Sequence, residues 1–493
     1  MLCVVIKGPT FQEAYLQISE ALLYADLIEL RLDCFAQLDF AALKNLRTHF
    51  TIPMIFTLRS QMQGGGYVQA EERRLADIRR LVALKPEYLD LENHIGVDFV
   101  EEISSQYPGI KLILSYHNFA ETPDDLEGLY SNMRMIPAFF YKIAVTAHNC
   151  LDALRLICWA KQSDEKLIAI SMGSHGQISR ILGPLMGSPI TYAALDEDQK
   201  SAPGQLSAKL LLGLYHYRAL NPHTAIYGLI GDPVDQSISD KTHNSFITAS
   251  ALDAVYVKIQ VKPSELFEFL KLAKQLPFHG LSVTMPLKEQ IVAFLDVIDP
   301  QALDIGAVNT LSFQSGKVVG FNTDGIGALN AIEKECQVAG KRIVIIGAGG
   351  SARAIAFEAL RRGGVVTILN RHAEKAIQIA QCLNCIGKGL ESMAACAEAG
   401  YDILINCTPV PLPIDVEYIL PQALVMDITT NPKETEFLKH AKEKGCRIIY
   451  GYQMFIEQAL GQFNLWFRDN IDLDKSIKTF ETNVAEAQRS GLE

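Results

Sequence analysis

The chain has 493 residues, of which 49% are hydrophobic and 20% charged, and its formal net charge is −11. This length predicts about three domains, and an acidic chain without a long basic run argues against nucleic acid as a partner. The N-terminus leads directly into a strand-like run and no apolar stretch is long enough to cross a membrane, which argues against a secretory signal and a membrane anchor. The ten cysteines form no framework, so we expect a cytoplasmic protein with reduced thiols.

Strand-like apolar runs alternate with helical stretches through the first 200 residues. The eight predicted strands are residues 3–6, 27–32, 54–58, 88–91, 112–115, 140–145, 167–171 and 190–193. Eight such units are the number for a (β/α)8 barrel, whereas open doubly wound sheets usually contain fewer strands. We therefore predict an α/β protein that begins with a TIM barrel over residues 1–218.

A barrel of this kind carries its reactive side chains at the carboxyl ends of the strands. Glu29, Arg31 and Asp33 alternate at the end of the second strand, so we expect all three to point to one side. The other polar residues at or after predicted strand ends are Arg59, Asp90, Glu92, His117, Lys142, Arg180, Ser201 and Gln205. The three arginines suit an anionic substrate.

Lys142 is the most informative of these residues because it lies inside an apolar strand. Burial favours the neutral amine, which attacks carbonyl carbons, and His117 one strand away is a candidate proton carrier. Lys142 is therefore a candidate for imine formation. The alternative is a structural ion pair between Lys142 and a carboxylate of the barrel.

The strand ends, in chain order, resemble those of type I 3-dehydroquinate dehydratase: E-L-R-L-D, F-T-L-R-S, S-Y-H-N-F, Y-K-I-A-V, I-S-R and S-A-P-G-Q. The resemblance covers roughly residues 1–218. It implies that Lys142 forms an imine with the substrate ketone and that His117 transfers protons. The substrate-binding residues that it implies are Glu29, Arg31, Arg59 and Arg180, with Ser201 and Gln205 in a loop that closes over the substrate.

One position in this half departs from the family pattern. The glycine loop after the third strand usually has a glutamate before Gly-Gly, and here that residue is Gln63. An amide keeps the hydrogen-bonding capacity of the side chain but removes its acid–base function.

Residues 219–224, with the sequence ALNPHT, are turn-prone and predict a linker. We expect this linker to be the only connection between two independent halves, with any intermediate passing through solvent. Beyond it, a strand-like run at 226–231 precedes Ser237, Ser239 and a helix from Asp240. We predict a substrate-binding domain over residues 225–330 that is completed by C-terminal helices within 452–480.

Two residues on later turns form a candidate acid–base pair. Lys288 ends the V-T-M-P-L-K turn, and Asp324 lies in N-T-D-G. Together they can move a proton while a hydride moves to carbon. Considered separately, each residue is more often a surface residue or a partner in a structural ion pair.

A strand, a glycine turn, a helix and a second strand follow one another between Arg342 and Arg371. The turn has the pattern G-x-G-x-x-A and consists of Gly347, Ala348, Gly349, Gly350, Ser351 and Ala352. Such a turn lets the backbone approach a pyrophosphate at the helix N-terminus. We predict a Rossmann domain over residues 331–451; the alternative is an ordinary glycine-rich turn.

The end of the second strand of this unit predicts the cofactor. NAD-binding domains usually place a carboxylate there for the ribose 2′-hydroxyl. This chain instead has Asn370 and Arg371, followed by His372 and Lys375. This favours NADP over NAD, unless these are merely solvated basic residues at a helix start. Further on, the single CxxC pair, Cys382 and Cys385, has no second pair, and we predict no metal site.

The second half resembles shikimate dehydrogenase over roughly residues 225–470. The motifs are the serine pair, V-T-x-P-x-K, A-V-N-T, N-T-D-G, G-A-G-G-S-A-R-A, N-R and the terminal Q-A. The resemblance implies that Lys288 and Asp324 are catalytic. The substrate-binding residues that it implies are Ser237, Ser239, Thr284, Asn309 and Gln458; the cofactor residues are those of the glycine turn together with Asn370 and Arg371. Departures from the family pattern fall at Gln236, Asp240, Ser282 and Thr430.

The two resemblances belong to consecutive steps of one pathway. In the first step 3-dehydroquinate loses water to give 3-dehydroshikimate, and in the second NADPH reduces 3-dehydroshikimate to shikimate. We therefore expect a bifunctional enzyme of aromatic amino-acid biosynthesis that binds only these small molecules and NADP. The alternatives are quinate turnover and a non-catalytic ligand sensor built from the same domains.

Overall fold

The computed structural model describes residues 1–164, 166–467, 478, 480–482 and 484. The first eight strands are β1 Leu2–Ile6, β2 Leu27–Arg31, β3 Met54–Thr57, β4 Tyr88–Glu92, β5 Lys111–Asn118, β6 Phe140–Thr146, β7 Leu167–Met172 and β8 Thr191–Ala193. The helices between and after them are α1 Phe11–Ala21, α2 Phe40–His49, α3 Glu71–Val82, α4 Val97–Gln106, α5 Leu126–Met133, α6 Cys150–Gln162, α7 Gln177–Ile181 and α8 Ala208–Gly213.

These strands form one parallel sheet in the order β7-β6-β5-β4-β3-β2-β1-β8. Its two edges, β7 and β8, are brought together by Arg180 of α7. The Arg180 guanidinium donates to the Tyr192 carbonyl at 3.0 Å, and the Thr191 hydroxyl donates to the Arg180 carbonyl at 3.2 Å. The predicted barrel is therefore confirmed as a near-closed one.

Alternation along the strands sorts side chains between the helices and the barrel interior. In β1, Val4 packs into the outer core under the helices, whereas Cys3 and Val5 belong to the interior cluster. In this kind of barrel, alternate strands contribute four side chains to each interior layer. Most of the interior is apolar, but one layer is not, and the candidate dehydratase residues occupy it.

The second half contains two further sheets. The elements of the first are β9 Ala225–Gly231, α9 Ser239–Ala249, β10 Ala254–Gln260, α10 Leu266–Ala273, β11 Phe278–Val283, α11 Leu287–Gln290, β12 Val297–Ile298, α12 Pro300–Ile305, β13 Thr310–Gln314, β14 Lys317–Phe321 and α13 Asp324–Glu333. The sheet has the order β10-β9-β11-β13-β14-β12, and β13 runs antiparallel to both of its neighbours.

The third sheet is entirely parallel, in the order β17-β16-β15-β18-β19-β20. Its elements are β15 Arg342–Ile346, α14 Gly350–Arg361, β16 Val365–Asn370, α15 Ala373–Leu383, β17 Ile386–Gly389, α16 Met393–Ala399, β18 Ile403–Asn406, β19 Leu424–Asp427, α17 Glu436–Glu443, β20 Arg447–Ile449 and α18 Gly451–Phe467. This order is that of a dinucleotide-binding fold, so the predicted Rossmann domain is confirmed.

Helix α18 returns from the third sheet to the second. The Trp466 indole donates to the Leu311 carbonyl at 2.9 Å. A Cβ on Gly327 of α13 would lie 2.7 Å from the Gln458 backbone, so glycine allows α13 and α18 to approach closely. The remaining part of the predicted C-terminal completion, residues 468–477 and 479, lies outside the described residues.

The linker is not the only connection between the two halves, contrary to the expectation from sequence. Helix α6 of the barrel packs along α10: the Cys150 thiol lies 3.5 Å from the Glu265 carboxylate just before α10, and the Cys158 thiol lies 3.7 Å from the Leu272 carbonyl. The two helices therefore run in the same direction. Each helix runs antiparallel to the strand that precedes it. Because α6 and α10 are parallel to each other, the carboxyl ends of β6 and β10 point to the same side of the molecule.

Within the described residues, no helix combines the length and the apolar character that a membrane span needs.

Candidate active sites

Lys142 lies in a polar layer of the barrel interior. Its ammonium is 2.5 Å from the Asp90 carboxylate and 3.9 Å from that of Glu29, and it lies over the Tyr192 ring at 4.7 Å from the centroid. These four residues come from the four even-numbered strands and form one layer, here called the lysine layer. Lys142 is only 4% exposed, so its charge is neutralised by buried carboxylates. The ion pair that the sequence left as an alternative is present.

Arg59 completes the charge balance above the lysine layer. Its guanidinium donates to Asp90 at 2.8 Å and to the Ser115 hydroxyl at 2.9 Å, and it lies 3.5 Å from Glu92. Burial would raise the pKa of Asp90, but the Arg59 and Lys142 charges outweigh it and hold that pKa well below its usual range. Asp90 is therefore a permanent anion beside Lys142.

His117 lies at the end of β5, next to this charge network. Its Nδ1 atom is buried without a hydrogen-bond partner among the described residues, and its backbone N–H donates to the Gln63 side chain at 3.2 Å. Burial and the positive charges of Arg59 and Lys142 hold the pKa of His117 well below its ordinary value. A neutral imidazole with a free nitrogen is suited to accept a proton.

Arg31 and Asp33 form a bidentate pair at the barrel mouth, at 3.0 and 2.8 Å. Strand β2 ends at Arg31 and Asp33 belongs to the helical turn that follows, so Asp33 does not continue the strand alternation that the sequence suggested. Burial opposes ionisation of Asp33, but its hydrogen bonds with Arg31 outweigh burial and lower the pKa. Asp33 therefore holds Arg31 in place.

The remaining predicted residues of the barrel site follow β7 and β8. Arg180 is buried, and burial lowers its pKa to about 10. Its Nε atom lacks a partner among the described residues. Ser201 donates from its hydroxyl at 2.9 Å and its backbone at 2.6 Å to the Gln205 side chain, which fixes the shape of their loop.

The second site centres on Lys288 and Asp324, whose side chains form an ion pair. Ser351 of the glycine turn contacts both partners: it accepts from the Lys288 ammonium at 3.0 Å and donates to Asp324 at 3.1 Å. The predicted acid–base pair is thus brought together. It contacts the cofactor-binding part of the chain through Ser351, which lies in the first turn of α14.

Asn309 orients Asp324 from the neighbouring turn. Its amide donates to Asp324 at 2.8 Å, to the Thr323 hydroxyl at 2.9 Å and to the Gln458 side chain at 3.3 Å. Gln458 lies on α18, so the helix that returns from the third sheet supplies one wall of the site. The sequence-predicted residues Asn309 and Gln458 are therefore in contact with each other, and Asn309 connects Gln458 to the acid–base pair.

The serine pair lies at the start of α9. The hydroxyls of Ser237 and Ser239 are 2.8 Å apart. Asp240, which departs from the family pattern, lies 3.4 Å from Lys258, whose ammonium also donates to the Ser237 carbonyl at 3.1 Å. Thr284 packs against Gly231, where a Cβ would come within 2.3 Å of its methyl group.

The glycine turn has the features that a dinucleotide needs. Gly347 has φ +116°, a conformation that other residues rarely adopt, and a Cβ on Gly350 would lie 3.1 Å from Lys288 Cβ. The space in front of Gly349 is open, and α14 begins with Gly350, which leaves backbone N–H groups available for a pyrophosphate. These residues fit the pyrophosphate of a dinucleotide, and they would hold NADP at this turn.

The strand end behind this turn carries no carboxylate. Asn370 donates from its amide to the His372 carbonyl at 3.0 Å, and Arg371 is exposed. An exposed guanidinium that has no ion-pair partner among the described residues suits a 2′-phosphate.

Comparison with known proteins gives the same two halves. The chain matches three family descriptions: type I 3-dehydroquinase over residues 2–222, the shikimate dehydrogenase substrate binding domain over 229–311, and shikimate / quinate 5-dehydrogenase over 330–438. A relative from Chlamydia pneumoniae, named shikimate biosynthesis protein AroDE, is 38% identical over 95% of this chain and 96% of its own length. The chain belongs to the family of bifunctional 3-dehydroquinate dehydratase/shikimate dehydrogenases.

Two further relatives define the halves of this family. The bifunctional 3-dehydroquinate dehydratase/shikimate dehydrogenase of Arabidopsis thaliana, described as chloroplastic, is 33% identical over 94% of this chain and 82% of its own length. The shikimate dehydrogenase (NADP(+)) of Pyrococcus furiosus is 39% identical over 52% of this chain and 94% of its own length. The residues after the linker are therefore the dehydrogenase half, and those before it are the dehydratase half.

The structure shows contacts of the site residues that the sequence did not predict. Asp90 was noted at a strand end, but its pairing with Lys142 depends on strand register. In the dehydrogenase half, the Ser282 hydroxyl accepts from Tyr256 at 2.8 Å and donates to Gln462 at 2.9 Å. Gln462 lies one helical turn after Gln458 and so on the same face of α18, and this spacing is the signal for it in the sequence. Ser282, which departs from the family pattern, is thus part of a buried hydrogen-bond network.

Proposed function

We propose that the residues of the lysine layer and barrel mouth dehydrate 3-dehydroquinate, and that Lys288 and Asp324 serve the reduction of 3-dehydroshikimate to shikimate. The observation that carries the first assignment is the buried ammonium of Lys142 beside two carboxylates and a neutral histidine. This bifunctional chain uses NADP for the second reaction. Its small-molecule substrates pass from the dehydratase half to the dehydrogenase half.

The dehydration begins when the Lys142 nitrogen replaces the ketone oxygen of the substrate. The ammonium and the ketone become a protonated imine and one water molecule, so the positive charge stays beside Asp90 and Glu29. The buried ion pair and the imine are therefore not rival explanations, because the same carboxylates stabilise both cations.

His117 performs the next step. Its neutral imidazole takes a proton from the carbon beside the imine, and the hydroxyl on the following carbon leaves as water after receiving that proton from the imidazole. Hydrolysis of the imine then releases 3-dehydroshikimate and restores Lys142. Arg31, Arg59 and Arg180 balance the carboxylate of the substrate, and the Ser201–Gln205 loop covers it.

The dehydrogenase half supplies a proton to the ketone oxygen. When NADPH is bound, it supplies the hydride. Lys288 donates the proton, and Asp324 and Ser351 hold its ammonium in position. The substrate hydroxyls and carboxylate are bound by Ser237, Ser239, Thr284, Asn309 and Gln458. The cofactor is held by Gly347, Ala348, Gly349, Gly350, Ser351 and Ala352, with Asn370 and Arg371 at the 2′-phosphate.

We assign residues 1–218 to the dehydratase, 219–224 to the linker, 225–330 with α18 to the substrate-binding domain, and 331–451 to the cofactor-binding domain. The three separate sheets support this division. All ten cysteines are free thiols, which supports a reducing, cytoplasmic location.

Borohydride trapping tests the first assignment. Borohydride added during turnover of 3-dehydroquinate should reduce the imine and fix the substrate mass onto the peptide that contains Lys142. The Lys142→Met variant should remain unlabelled. Labelling of another peptide, or an active enzyme that is never labelled, would contradict the assignment of Lys142.

A further inference from the structure

The lysine layer has a fourth member that the proposed mechanism does not use. Tyr192 of β8 fills the place that Glu29, Asp90 and Lys142 fill on the other even-numbered strands. The Lys142 ammonium lies 4.7 Å from the centre of the Tyr192 ring. The backbone carbonyl of Tyr192 is fixed by Arg180 at 3.0 Å, so the ring is anchored at the seam of the barrel.

The Tyr192 hydroxyl is buried without a hydrogen-bond partner among the described residues. Phenylalanine would fill the same space and keep the same contact between ring and ammonium, without the cost of burying an unpartnered hydroxyl. The hydroxyl therefore has no evident structural purpose. His117 Nδ1 is another buried polar atom without a described partner.

The environment keeps this hydroxyl protonated. Burial, followed by the negative charge of Glu29, raises the pKa of Tyr192 well above its ordinary value. The phenol is therefore a neutral hydrogen-bond donor at neutral pH. Its neighbours Glu29 and Asp90 are already engaged, Glu29 by the Thr57 hydroxyl at 2.8 Å and Asp90 by Lys142 and Arg59.

We propose that the Tyr192 hydroxyl is a further catalytic residue of the dehydratase half, which donates a hydrogen bond to the substrate oxygen on the carbon that Lys142 attacks. The proposal rests on the imine chemistry proposed above. Because the Tyr192 ring lies against the Lys142 ammonium, an oxygen on the carbon that joins Nζ is within reach of the hydroxyl at the end of the ring.

The role is confined to formation and hydrolysis of the imine. As one ammonium proton passes to the carbonyl oxygen and the nitrogen–carbon bond forms, the electron pair of the carbonyl moves to oxygen, and the phenol stabilises the charge that develops there. A second proton then follows from the nitrogen, the oxygen leaves as water, and the nitrogen keeps the third proton as the protonated imine. The phenol keeps its own proton throughout, so no further reactant is needed.

The test compares Tyr192→Phe with Tyr88→Phe in the full chain. Tyr88 is also a buried tyrosine on an even-numbered strand, but it lies one layer further from the barrel mouth and stacks on Phe140. Imine formation is measured in a single turnover of 3-dehydroquinate by quenching with borohydride at set times and following the substrate mass on the Lys142 peptide. Shikimate oxidation by NADP in the same samples reports on folding.

Tyr192→Phe is expected to slow imine formation at least tenfold while the melting temperature stays the same or rises, because an unpartnered hydroxyl has been removed. Tyr88→Phe should leave imine formation unchanged. An unchanged rate of imine formation in Tyr192→Phe would overturn the proposal. So would a loss of rate that appears together with a lower melting temperature and weaker shikimate oxidation, since that pattern indicates a structural role.

The experiment distinguishes a wrong role for Tyr192 from a wrong imine mechanism at Lys142. If the unmodified enzyme turns over 3-dehydroquinate but traps no substrate on Lys142, the proposed function of Lys142 is wrong and the role of Tyr192 falls with it. If the unmodified enzyme is labelled and Tyr192→Phe is labelled equally fast, only the role of Tyr192 is wrong.

Discussion

The two active sites of this chain are built in different ways. The dehydratase site lies within a single sheet: Glu29, Asp90, Lys142 and Tyr192 meet because four strands of one barrel place them in one layer. The dehydrogenase site is assembled between the second and third sheets, where Lys288 of α11 and Asp324 of α13 contact Ser351 of α14.

This difference has a physical consequence for each reaction. The near-closed barrel fixes buried charges against one another before any substrate arrives, and this pre-organisation lets carboxylates stabilise a cation without reorganisation. A site between two sheets depends on how the cofactor-binding sheet approaches the substrate-binding sheet. Substitutions in the barrel should therefore act on one reaction step, whereas substitutions around Ser351 should act on binding and catalysis together.

Substitution of the two lysines should separate the two activities most clearly. Lys142→Ala should reduce dehydration to background, because the imine cannot form, and should leave shikimate oxidation by NADP near normal. Lys288→Ala should do the reverse and lower shikimate oxidation by roughly 10²- to 10⁴-fold. Assays of both reactions on each purified variant decide this. Loss of both activities in either variant, with the fold intact by circular dichroism, would contradict the separation.

The cofactor preference should depend on Arg371. Each tenfold preference for NADP over NAD corresponds to about 1.4 kcal/mol, which is within reach of a charge-assisted hydrogen bond to a phosphate. Arg371→Ala should lower kcat/KM with NADP at least about tenfold and leave that with NAD unchanged. Lys375→Ala, one helical turn later, is the control and should have a smaller effect. Equal efficiency with both cofactors in the unmodified enzyme would refute the assignment.

Gln63 should affect binding in the barrel more than chemistry. Its side chain accepts from the His117 backbone at 3.2 Å, so it ties the glycine loop to the strand that carries the proton carrier. Gln63→Ala should raise KM for 3-dehydroquinate a few-fold, since one net hydrogen bond contributes about 1 kcal/mol, with kcat little changed. If Gln63→Glu raised kcat many-fold instead, the missing carboxylate would have been limiting.

Acidification should destabilise the dehydrogenase half through His243. Burial lowers the pKa of this histidine from 6.5 to about 3, so it is neutral in the folded protein and takes up a proton on unfolding. Its contribution to stability is therefore complete above pH 6.5 and falls as the pH drops from there towards 3. Melting temperatures between pH 7.5 and 5 should fall less steeply for His243→Gln than for the unmodified protein. The exposed His223→Gln is the control, and an equal pH slope in all three proteins would contradict the assignment.

Much of both sites follows from periodicity and strand ends. The eight barrel strands were predicted within a few residues, and Lys142 and His117 were selected because a cation inside an apolar strand and a histidine at a strand end are unusual. The glycine turn was recognised because Gly347 to Ala352 fall between a strand and a helix. These signals are local in the sequence, so one chain suffices to find them.

The features that were not predicted depend on relations between distant segments. The pairing of Lys142 with Asp90 and Tyr192 requires the stagger of neighbouring strands, which no local pattern specifies. The contact between α6 and α10 was missed because Cys150 and Cys158 look like ordinary apolar helix positions. The Ser282–Gln462 bond joins residues 180 positions apart.

A mixing experiment tests the central claim, that two complete and independent sites share one chain. Lys142→Ala and Lys288→Ala are combined in equal amounts with 3-dehydroquinate and NADPH, and shikimate is followed over time. The intact dehydrogenase site of the first variant and the intact dehydratase site of the second should together restore shikimate formation, after a lag in which 3-dehydroshikimate accumulates in solution. Absence of shikimate from the mixture, although each variant keeps its single activity, would contradict independent sites.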